Sequence, residues 1–566
     1  MDIRIHGPEA DDSERQAVDS VLGGQARPPR DLLLPALHAV QDRFGWLQPG
    51  ALNYICMRMD LPPAEVFGVS TFYHLLSLSP APLRVVHVCD DIACRIKGAE
   101  AICAELEKNG TPWKRSPCLG QCERAPATLT LGGNGGNAGT DTKLVLQNLV
   151  SVPAFPPFPP DGRLVRRIGK IDPASLVEYE REGGYRGLKR ALEIGPEAVI
   201  REVTASNLVG RGGAAFPTGR KWDAVSKVAA RPHYVVCNAD ESEPGTFKDR
   251  ILMEGDPFAI IEGVTIAAFA TGAERGFIYI RGEYPLAIER IQAAIQAARA
   301  AGLLGKNILG SGFSFDIEVR RGAGAYICGE ETALFNSIEG KRGEPRNKPP
   351  FPVNVGLFGK PTVINNVETL ANVPLIVTEG GAAFAGIGTS GSTGPKLFCL
   401  SGHVARPGLY EVAFGKTLRE LIDMAGGVPG NKRIQSILLG GAAGVFIGPE
   451  RLDVPLTFEG TRAIGATLGS GVVMVFDETV DMWDILSRIA EFFRDESCGQ
   501  CVPCRVGTVR QKELLGRLRS GRTIGSQADE LALLNEIGQA MRDASICGLG
   551  QTASSAIESA LVNLKL

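Results

Sequence analysis

The amino-acid sequence predicts a multidomain protein of mixed α/β and α+β class. Apolar strands and helices alternate between about residues 166 and 385, the pattern of an α/β domain with a parallel sheet. Short strands dominate between 386 and 472, whereas both ends of the chain have helical patterns. With 566 residues, the chain is long enough for roughly three to five domains that each have a core.

The composition is that of an ordinary globular protein. A formal net charge of −3 gives no support for binding to nucleic acid or to an anionic membrane. The N-terminus has no apolar signal segment, and no apolar run reaches the ~18–20 residues that span a bilayer. Of the 13 cysteines, the five outside two clustered sets show no disulfide-like framework, and iron–sulfur assembly on thiolates needs a reducing compartment. These five are Cys56, Cys103, Cys237, Cys328 and Cys399. We therefore expect a cytoplasmic protein.

The N-terminal part divides into three segments. Residues 1–80 are predicted to be a helical domain, and 81–150 a domain of alternating strands and helices, with a strand at Val85–Val88 and a helix at Lys97–Lys108. A glycine-rich turn occupies Gly132–Gly139. Five prolines between Ser151 and Pro160 favour an extended, semi-rigid conformation, so 151–165 is predicted to be a linker.

Three further domains are predicted beyond this linker. The α/β domain spans 166–385, with strands at Tyr234–Cys237 and Gly276–Ile280 and a helix at Pro285–Ala301. A small α+β domain spans 386–472, where one helix at Thr417–Met424 interrupts short strands. A helical domain at 473–566 contains the C-terminal cysteines.

Four of these C-terminal cysteines have the spacing of a [4Fe–4S] site. Cys498, Cys501 and Cys504 form C-x2-C-x2-C, and Cys547 follows at a distance. A zinc site more often uses two separated C-x2-C pairs, and three thiols within seven residues are unusual for simple core packing. We interpret the set as cluster ligands in preference to these two alternatives.

A second set of four cysteines favours a [2Fe–2S] cluster. Cys89 and Cys94 are followed by Cys118 and Cys122, a pattern of C-x4-C and C-x3-C on two loops. The alternative is a pair of buried helices with incidental thiols. Against it, Cys89 directly follows a predicted strand, which places the first pair on a strand-to-helix loop, where functional groups are common.

Three loops of the α/β domain are dense in glycine and polar residues. The first, Gly210–Trp222, precedes a predicted helix and offers backbone N–H groups and cationic side chains to a phosphate. The second, Cys237–Asp249, ends a strand, where ligands bind in open α/β sheets. The third is Gly322–Glu331. Each could be an ordinary turn, but together they predict one nucleotide-like pocket.

These residues closely resemble a known family. The three loops, Lys348–Pro352, Ile364–Glu368 and the cysteine triplet are similar to the flavin-carrying, NADH-oxidising subunit of respiratory complex I over 166–566. Residues 25–130 resemble its thioredoxin-like [2Fe–2S] partner subunit. The fusion of the two resembles diaphorase subunits of NAD-linked formate dehydrogenases and NAD-reducing hydrogenases, most of all the beta subunit of the molybdenum- or tungsten-containing formate dehydrogenases.

The resemblance implies a fold and a set of binding residues. It implies a thioredoxin-like [2Fe–2S] domain, a Rossmann-like FMN/NAD(H) domain, a β-grasp-like domain and a helical bundle with [4Fe–4S]. The implied FMN-binding residues are Gly210, Arg211, Gly212, Lys221, Asn238, Asp240, Glu241, Gly329, Glu330, Asn365 and Asn366. The implied NAD(H)-binding residues are Phe216, Glu243, Glu331, Lys348 and Phe351, of which Glu243 and Glu331 are assigned to the catalytic site.

By the same resemblance, a hydride passes between nicotinamide and FMN, and the [4Fe–4S] cluster exchanges single electrons with the flavin. The [2Fe–2S] cluster is expected beside this main route. The family usually has Arg-Glu-Gly where this chain has Arg505-Val506-Gly507, which alters the surroundings of the cluster. The implied partner is a larger catalytic subunit with molybdenum or tungsten and its own iron–sulfur clusters.

Two other functions remain open. The same diaphorase could serve a hydrogenase or a complex I-like NADH dehydrogenase module, because no residue pattern here identifies the substrate of the partner. An electron-transfer or assembly protein without a nucleotide would leave the three glycine-rich loops unexplained. Diaphorase activity with an artificial dye distinguishes the diaphorase functions from a protein that binds no nucleotide.

Overall fold

The computed structural model describes residues 8–131 and 162–564. The predicted glycine-rich turn at 132–139 and the predicted linker as far as residue 161 lie outside the described residues. Both ends of the described chain are helical, as predicted, and two sheet domains lie between the linker and the C-terminal helices.

Four helices form the N-terminal helical domain. The chain enters the first of them through a capping box, in which the Asp11 side chain accepts from the Glu14 N–H and the Glu14 carboxylate accepts from the Asp11 N–H. The helices are α1 (Asp12–Leu22), α2 (Leu33–Phe44), α3 (Pro49–Met59) and α4 (Pro63–Ser70).

The thioredoxin-like domain follows with a three-stranded sheet. Its elements are β1 (Val85–Cys89), α5 (Ile92–Ile96), α6 (Ala99–Lys108), β2 (Trp113–Ser116) and β3 (Thr128–Leu131). The central strand β1 pairs in parallel with β2 and antiparallel with β3. The predicted helix at 97–108 begins two residues later, because Gly98 has φ +95° and separates α5 from α6.

The α/β domain contains the predicted parallel sheet. Its elements are α7 (Leu176–Arg181), α8 (Arg186–Ile194), α9 (Pro196–Ala205), α10 (Thr218–Ser226), β4 (Tyr234–Ala239), α11 (Lys248–Gly255), α12 (Pro257–Thr271), β5 (Arg275–Ile280), α13 (Pro285–Ala300), β6 (Asp316–Arg321), α14 (Glu331–Ile338), β7 (Thr362–Asn366), α15 (Val367–Glu379) and α16 (Gly381–Ala385). The strand order is β6-β5-β4-β7, and all pairs are parallel. The chain order reverses beside β4, which makes the carboxyl end of β4 a topological switch point.

The β-grasp-like domain is a five-stranded mixed sheet in the order β11-β10-β12-β8-β9. Its elements are β8 (Pro395–Gly402), β9 (Gly408–Ala413), α17 (Leu418–Met424), β10 (Ile434–Leu439), β11 (Val445–Ile447), α18 (Phe458–Ala463) and β12 (Val472–Asp477). The predicted boundary at 472 is therefore too early. The apolar run from Val472 is the central strand β12, which pairs with both β10 and β8, and the domain extends to Asp477.

The C-terminal domain is entirely helical. It comprises α19 (Met482–Glu496), α20 (Val502–Ser520), α21 (Gln527–Ala544), α22 (Gly548–Thr552) and α23 (Ser555–Asn563). In the described part of the chain, none of the helices combines the length and apolarity that a membrane span needs.

The N-terminal domains pack directly against the α/β domain. The backbone N–H groups of His74 and Leu75 donate to the carbonyls of Gly324 and Ala323, at 3.0 and 2.9 Å. In the thioredoxin-like domain, Arg95 directly follows Cys94 and forms a bidentate ion pair with Asp484 of α19 at 2.6 and 2.9 Å. These contacts join the N-terminal part to the central domain and to the C-terminal helices.

Candidate functional site

A cavity of about 410 Å³ opens at the carboxyl end of β4. Its size lies within the range of small-molecule sites, and its position is the switch point of the parallel sheet. Asn238 is one of its lining residues, and its side chain donates to the Gly329 carbonyl at 2.8 Å and accepts from the Asp240 N–H at 3.1 Å. The second and third glycine-rich loops therefore meet across this cavity.

Three domains form the wall of this cavity. The α/β domain provides most of it, the β-grasp-like domain adds two glycine turns, and the helical domain adds the start of α22. The lining residues are Gly212, Gly213, Ala214, Asn238, Asp240, Glu241, Ser242, Glu243, Thr246, Lys248, Asp249, Tyr326, Ile327, Gly329, Glu330, Asn366, Gly440, Ala443, Thr467, Gly469, Ser470, Gly548, Leu549 and Thr552.

The wall has room and unused hydrogen-bonding capacity for a polar ligand. Gly213 has φ +117°, and a Cβ added there would make only an ordinary contact, 3.7 Å from the Gly469 carbonyl carbon. The buried Ser470 Oγ has no hydrogen-bond partner among the described residues. Exposed backbone and an unpaired hydroxyl fit a phosphate-bearing, polyhydroxylated group such as FMN.

Several predicted FMN residues lie outside this wall. Gly210 closes the first loop, where its N–H donates to the Phe216 carbonyl at 2.9 Å. The Asn365 side chain accepts from the Trp222 indole N–H at 2.8 Å. Their predicted contacts with FMN stay predictions.

Arg211 is fully buried beside the cavity wall instead of lining it. One of its N–H groups donates to the Thr393 carbonyl at 2.6 Å, and its guanidinium lies 4.8 Å from the Phe414 ring centre. Its Nε and Nη1 have no partner among the described residues, and burial lowers the pKa of Arg211 to about 10. Unpaired, buried donors of this kind are available to an anionic group.

Most of the predicted NAD(H) residues form one contiguous group at the edge of the cavity. Lys348 Nζ donates to Glu330 at 2.8 Å and to Glu331 at 2.7 Å. Lys221 Nζ lies 3.9 Å from Glu331 and 5.8 Å from the ring centre of Phe216, which is 49% exposed. Phe351 follows Lys348 by three residues and is 53% exposed. This group offers exposed aromatic faces next to charged side chains.

Glu243 is the one predicted NAD(H) residue among the described residues that line the cavity. One carboxylate oxygen accepts from the Tyr326 hydroxyl and the other from the Ala443 N–H at 2.8 Å. Burial raises the pKa of Glu243 to about 7, and these two donors only partly offset that effect. Burial likewise raises the pKa of Asp240 to about 8, although the Arg281 charge opposes it. The cavity therefore carries less negative charge near neutral pH than its carboxyls suggest.

These raised pKa values predict a pH dependence of stability. Unfolded carboxyls ionise near pH 4, so between about pH 4 and 8 Asp240 and Glu243 bind more protons in the folded chain than in the unfolded chain. For the flavin-free chain, we therefore expect the contribution of these two carboxyls to stability to fall as pH rises from about 5 to 8. Asp240→Asn should flatten this slope in thermal unfolding, whereas Asp223→Asn, on the exposed side of α10, should leave it unchanged. An unaltered slope in Asp240→Asn would contradict the raised pKa.

Several cavity residues are not among the sequence-predicted site residues. Lys248 lies in the second loop and Tyr326 in the third, yet neither is assigned a role by the resemblance. The β-grasp-like domain also contributes, through the glycine turns Gly440–Gly441 and Gly469–Gly471. Glycine turns at strand ends are the signal that could have indicated this contribution.

The first cysteine set converges inside the thioredoxin-like domain. Cys118 Sγ and Cys122 Sγ are 3.6 Å apart, and all four thiols are buried. Hydrogen bonding with Cys118 and Cys94 raises the pKa of the Cys89 thiol. The Gly120 N–H donates to Cys118 Sγ at 3.4 Å. Four convergent thiols with a backbone donor fit a [2Fe–2S] cluster.

The second set converges where α20 and α22 begin. Cys501 is the N-cap residue of α20, and Cys547 that of α22. Burial raises the pKa of Cys504 to about 11 and of Cys547 to about 12, and the neighbouring Cys498 adds to both effects. Bare thiolates would be unfavourable there, and iron can replace the protons.

In the described ranges, no three His, Cys, Asp or Glu side chains are arranged to hold a single metal ion. This result does not argue against cluster ligation. The four thiolates of a cluster bind different iron atoms and surround an inorganic core, so they need not converge on one point.

The loop of Cys118, Gly120, Cys122 and Glu123, called the [2Fe–2S] loop below, contacts the wall of the cavity. The buried Arg281 donates to the Cys118 carbonyl at 2.6 Å and to the Glu241 carbonyl at 2.7 Å. Arg250 donates to the Gly120 carbonyl at 2.9 Å and pairs with Glu123. The [2Fe–2S] loop therefore lies against the cavity wall, although it belongs to the N-terminal part of the chain. The position of the [2Fe–2S] cluster beside the main electron route stays a prediction.

Four family models match the chain, and together they confirm its domain classes. A thioredoxin-like [2Fe-2S] ferredoxin matches 24–138, and the Nuo51 FMN-binding domain matches 203–375. An SLBB domain matches 397–442, and the NADH-ubiquinone oxidoreductase-F iron-sulfur binding region matches 484–565. These matches confirm the predicted cofactors, which are FMN, a [2Fe–2S] cluster and a [4Fe–4S] cluster, with NADH as substrate.

The chain is similar to curated and solved relatives. It is 48% identical to an NADH-quinone oxidoreductase subunit of Rhizobium meliloti over 71% of this chain and 95% of that protein. It is 47% identical to NADP-reducing hydrogenase subunit HndC of Solidesulfovibrio fructosivorans over 70% and 80%. A chain of the crystal structure of an air-oxidised NAD+-reducing [NiFe]-hydrogenase aligns with a TM-score of 0.80 at 32% identity, covering 96% of this chain and 93% of that chain.

Proposed function

The chain belongs to the family of FMN- and iron–sulfur-binding subunits of NADH-quinone oxidoreductases, and we propose that it is the diaphorase subunit of a molybdenum- or tungsten-dependent, NAD-linked formate dehydrogenase. Its coarser role follows from the family: it is an NADH-binding electron-transfer subunit with FMN and iron–sulfur clusters. The formate-linked role is the proposal.

One observation carries the diaphorase role. Gly548 and Leu549 line the cavity, and they directly follow the cluster ligand Cys547. A single peptide bond therefore separates Cys547, a member of the C-terminal cysteine set, from a residue of the cavity wall. Electron exchange falls steeply with distance, so this adjacency suits a site where a two-electron carrier meets a one-electron cluster.

FMN, when bound, accepts two electrons as a hydride and releases them singly. The chain's own residues would orient the reactants. We propose that Gly212, Gly213 and Gly329 leave space for the flavin, and that Asn238 holds two of the loops in register. Glu243, held by Tyr326, would face the nicotinamide.

The group at the cavity edge would bind NAD(H). Lys348 holds the Glu330 and Glu331 carboxylates together, and carboxylates are suitable acceptors for ribose hydroxyls. Phe216 and Phe351 are exposed, and aromatic faces of this kind can stack on a nucleotide base. These roles are proposals for the sequence-predicted NAD(H) residues.

The proposed partner is a larger catalytic subunit that holds molybdenum or tungsten and its own iron–sulfur clusters. Electrons from formate would enter at the C-terminal cluster and reach NAD through FMN. We place the complex in the cytoplasm, because cluster assembly on thiolates needs a reducing compartment. No role for nucleic acid or membrane binding is proposed.

A hydrogenase diaphorase is the second candidate. The fold alignment with the NAD+-reducing [NiFe]-hydrogenase chain covers nearly this whole chain, including the fused N-terminal part. The cavity and both cysteine sets would serve either partner equally, so the choice depends on the metal that the partner holds.

Purification of the native complex and of the isolated chain tests the proposal. We expect the isolated chain to contain about one FMN, to reduce an artificial dye with NADH and to show no formate oxidation. The complex should contain molybdenum or tungsten and couple formate oxidation to NAD reduction. Nickel in the complex, with hydrogen-dependent NAD reduction, would establish the second candidate. Formate oxidation by the isolated chain would contradict both.

A further inference from the structure

Two buried lysines share one carboxylate oxygen beneath the cavity. Glu368 Oε2 lies 3.2 Å from Lys248 Nζ and 2.8 Å from Lys396 Nζ. All three side chains are 0–1% exposed. Lys248 also donates to Asp249 at 2.7 Å and lies 3.4 Å from the Asn366 amide oxygen. A pair of ammonium groups this close in a buried site requires the carboxylate between them.

The second lysine comes from a different domain. Lys396 is in β8 of the β-grasp-like domain, whereas Glu368 lies in the first turn of α15 of the α/β domain. The neighbouring Leu397 N–H donates to the other Glu368 oxygen at 3.0 Å. Lys396 itself donates to the carbonyl of the cavity residue Ser470 at 3.0 Å. The β-grasp-like domain thus fixes both Glu368 and one side of the cavity.

Lys248 is the one cation among the described residues that line the cavity. The other ionisable lining residues are the carboxyls Asp240, Glu241, Glu243, Asp249 and Glu330, together with the Tyr326 hydroxyl. Burial raises the pKa of Asp240, Glu241 and Glu243 into or above the neutral range, which reduces their negative charge. In contrast, Asp249 and Glu368 hold Lys248 in its charged form and raise its pKa against the effect of burial.

We propose that Lys248 raises the reduction potential of the flavin, and that Lys396, acting through Glu368, is a positioning residue that keeps the Lys248 charge available to the cavity. The inference rests on the proposed function, because it requires FMN in this cavity. Hydride transfer from NADH brings two electrons and one proton and leaves NAD+. It therefore adds one unit of negative charge to the cavity unless a second proton enters.

A buried positive charge stabilises this added negative charge more strongly than an exposed one, because the surrounding protein screens it less. Lys396 matters for the same reason, because its ammonium neutralises part of the Glu368 charge. Without the Lys396 ammonium, the Glu368 carboxylate would pair with Lys248 alone and would neutralise more of its charge. The potential of the flavin would thus depend on a residue of the neighbouring domain.

Redox titration of the flavin in the purified full-length chain tests this proposal, because each variant is expected to shift the midpoint potential in a stated direction. Lys248→Met should lower the midpoint potential and change the reduction equilibrium by at least about tenfold, which is about 30 mV for a two-electron couple. Lys396→Met should lower it by a smaller amount. Glu368→Gln, which removes a negative charge, should raise it. A structural role alone would not give opposite signs.

Two controls accompany these variants. Lys396→Arg keeps the charge and should restore the wild-type potential, and Lys227→Met removes an exposed ammonium that pairs with Asp223 and should not change it. Burial lowers the pKa of Lys396 to about 8, so the titrations are performed below that pH. If Glu368→Gln does not fold, the lysine variants and Lys396→Arg still decide the result.

Two outcomes would overturn the proposal. An FMN-loaded chain whose potential is unchanged in Lys248→Met, or lowered equally by Lys396→Arg and Lys396→Met, would exclude the electrostatic role while leaving the diaphorase function intact. A wild-type chain that binds no FMN would instead refute the proposed function, and this inference with it. Flavin content and thermal unfolding of each variant are measured alongside the potential.

Discussion

Replacing Cys501 with alanine is expected to abolish the EPR signal of the [4Fe–4S] cluster. Cys501 occupies the N-cap of α20, next to the unpaired N–H groups at the start of that helix. The predicted ligand set implies that the cluster loses one of four ligands without this thiolate, and electron transfer to acceptors beyond the flavin should then stop. Reduction of the flavin by NADH should survive in part, because the cavity keeps its wall. EPR and stopped-flow flavin absorbance measure the two effects separately.

Cys56→Ala is the matched control for this variant. Cys56 lies on α3, is half-buried, and belongs to neither cysteine set. Its loss should leave both EPR signals and flavin reduction unchanged. Retention of a full [4Fe–4S] signal in Cys501→Ala would remove Cys501 from the ligand set, and complete loss of flavin reduction in a folded variant would show that the two sites are not separable.

Replacing Gly120 with alanine is expected to disrupt both the [2Fe–2S] loop and its contact with the α/β domain. Gly120 has φ +64°, and an added Cβ would collide with the ring of the buried Tyr284. The Tyr284 hydroxyl is held by the Glu241 carboxylate at 3.1 Å, so the ring has little freedom to move. Left-handed backbone strain of about 1–2 kcal/mol and overpacking of about 1–3 kcal/mol predict a total loss of roughly 2–5 kcal/mol.

Gly98→Ala separates the steric effect from the backbone effect. Gly98 has φ +95° in the same domain, but an added Cβ there would meet no atom within 4 Å. This variant should lose only the backbone part and keep its [2Fe–2S] signal, whereas Gly120→Ala should lose most of that signal. Thermal unfolding and EPR measure both. Equal behaviour of the two variants would show that the Tyr284 contact does not hold the loop.

Local sequence patterns predict the strands and the cysteine sets well. All three strands predicted from apolar runs are present, at Val85–Val88, Tyr234–Cys237 and Gly276–Ile280. Short, continuous apolar runs bounded by polar turns are typical of buried strands. The cysteine spacings are equally informative, since cluster ligation needs thiolates within a short reach of one another. The predicted helix at 97–108 is wrong at its start, where one glycine interrupts the helix.

Long-range packing explains the differences between prediction and structure. Arg211 belongs to a loop that also forms the cavity wall, yet its side chain is buried against Thr393 and Phe414, far away in sequence. The predicted domain boundary at 472 is too early, because an apolar run does not reveal which strands it will pair with. Neither contact has a local signature, since each depends on how separate parts of the chain meet.

The sequence by itself determined the domain classes, both cysteine sets and the three glycine-rich loops of this protein, because each depends on residues close together in the chain. Only the tertiary structure decided that the β-grasp-like domain completes the cavity, that Lys396 reaches Glu368, and that the residues after Cys547 form part of the cavity wall. These features arise from burial of charged and backbone groups between domains. Such buried groups need hydrogen-bond or ion-pair partners, and these partners can come from any part of the chain that packs beside them.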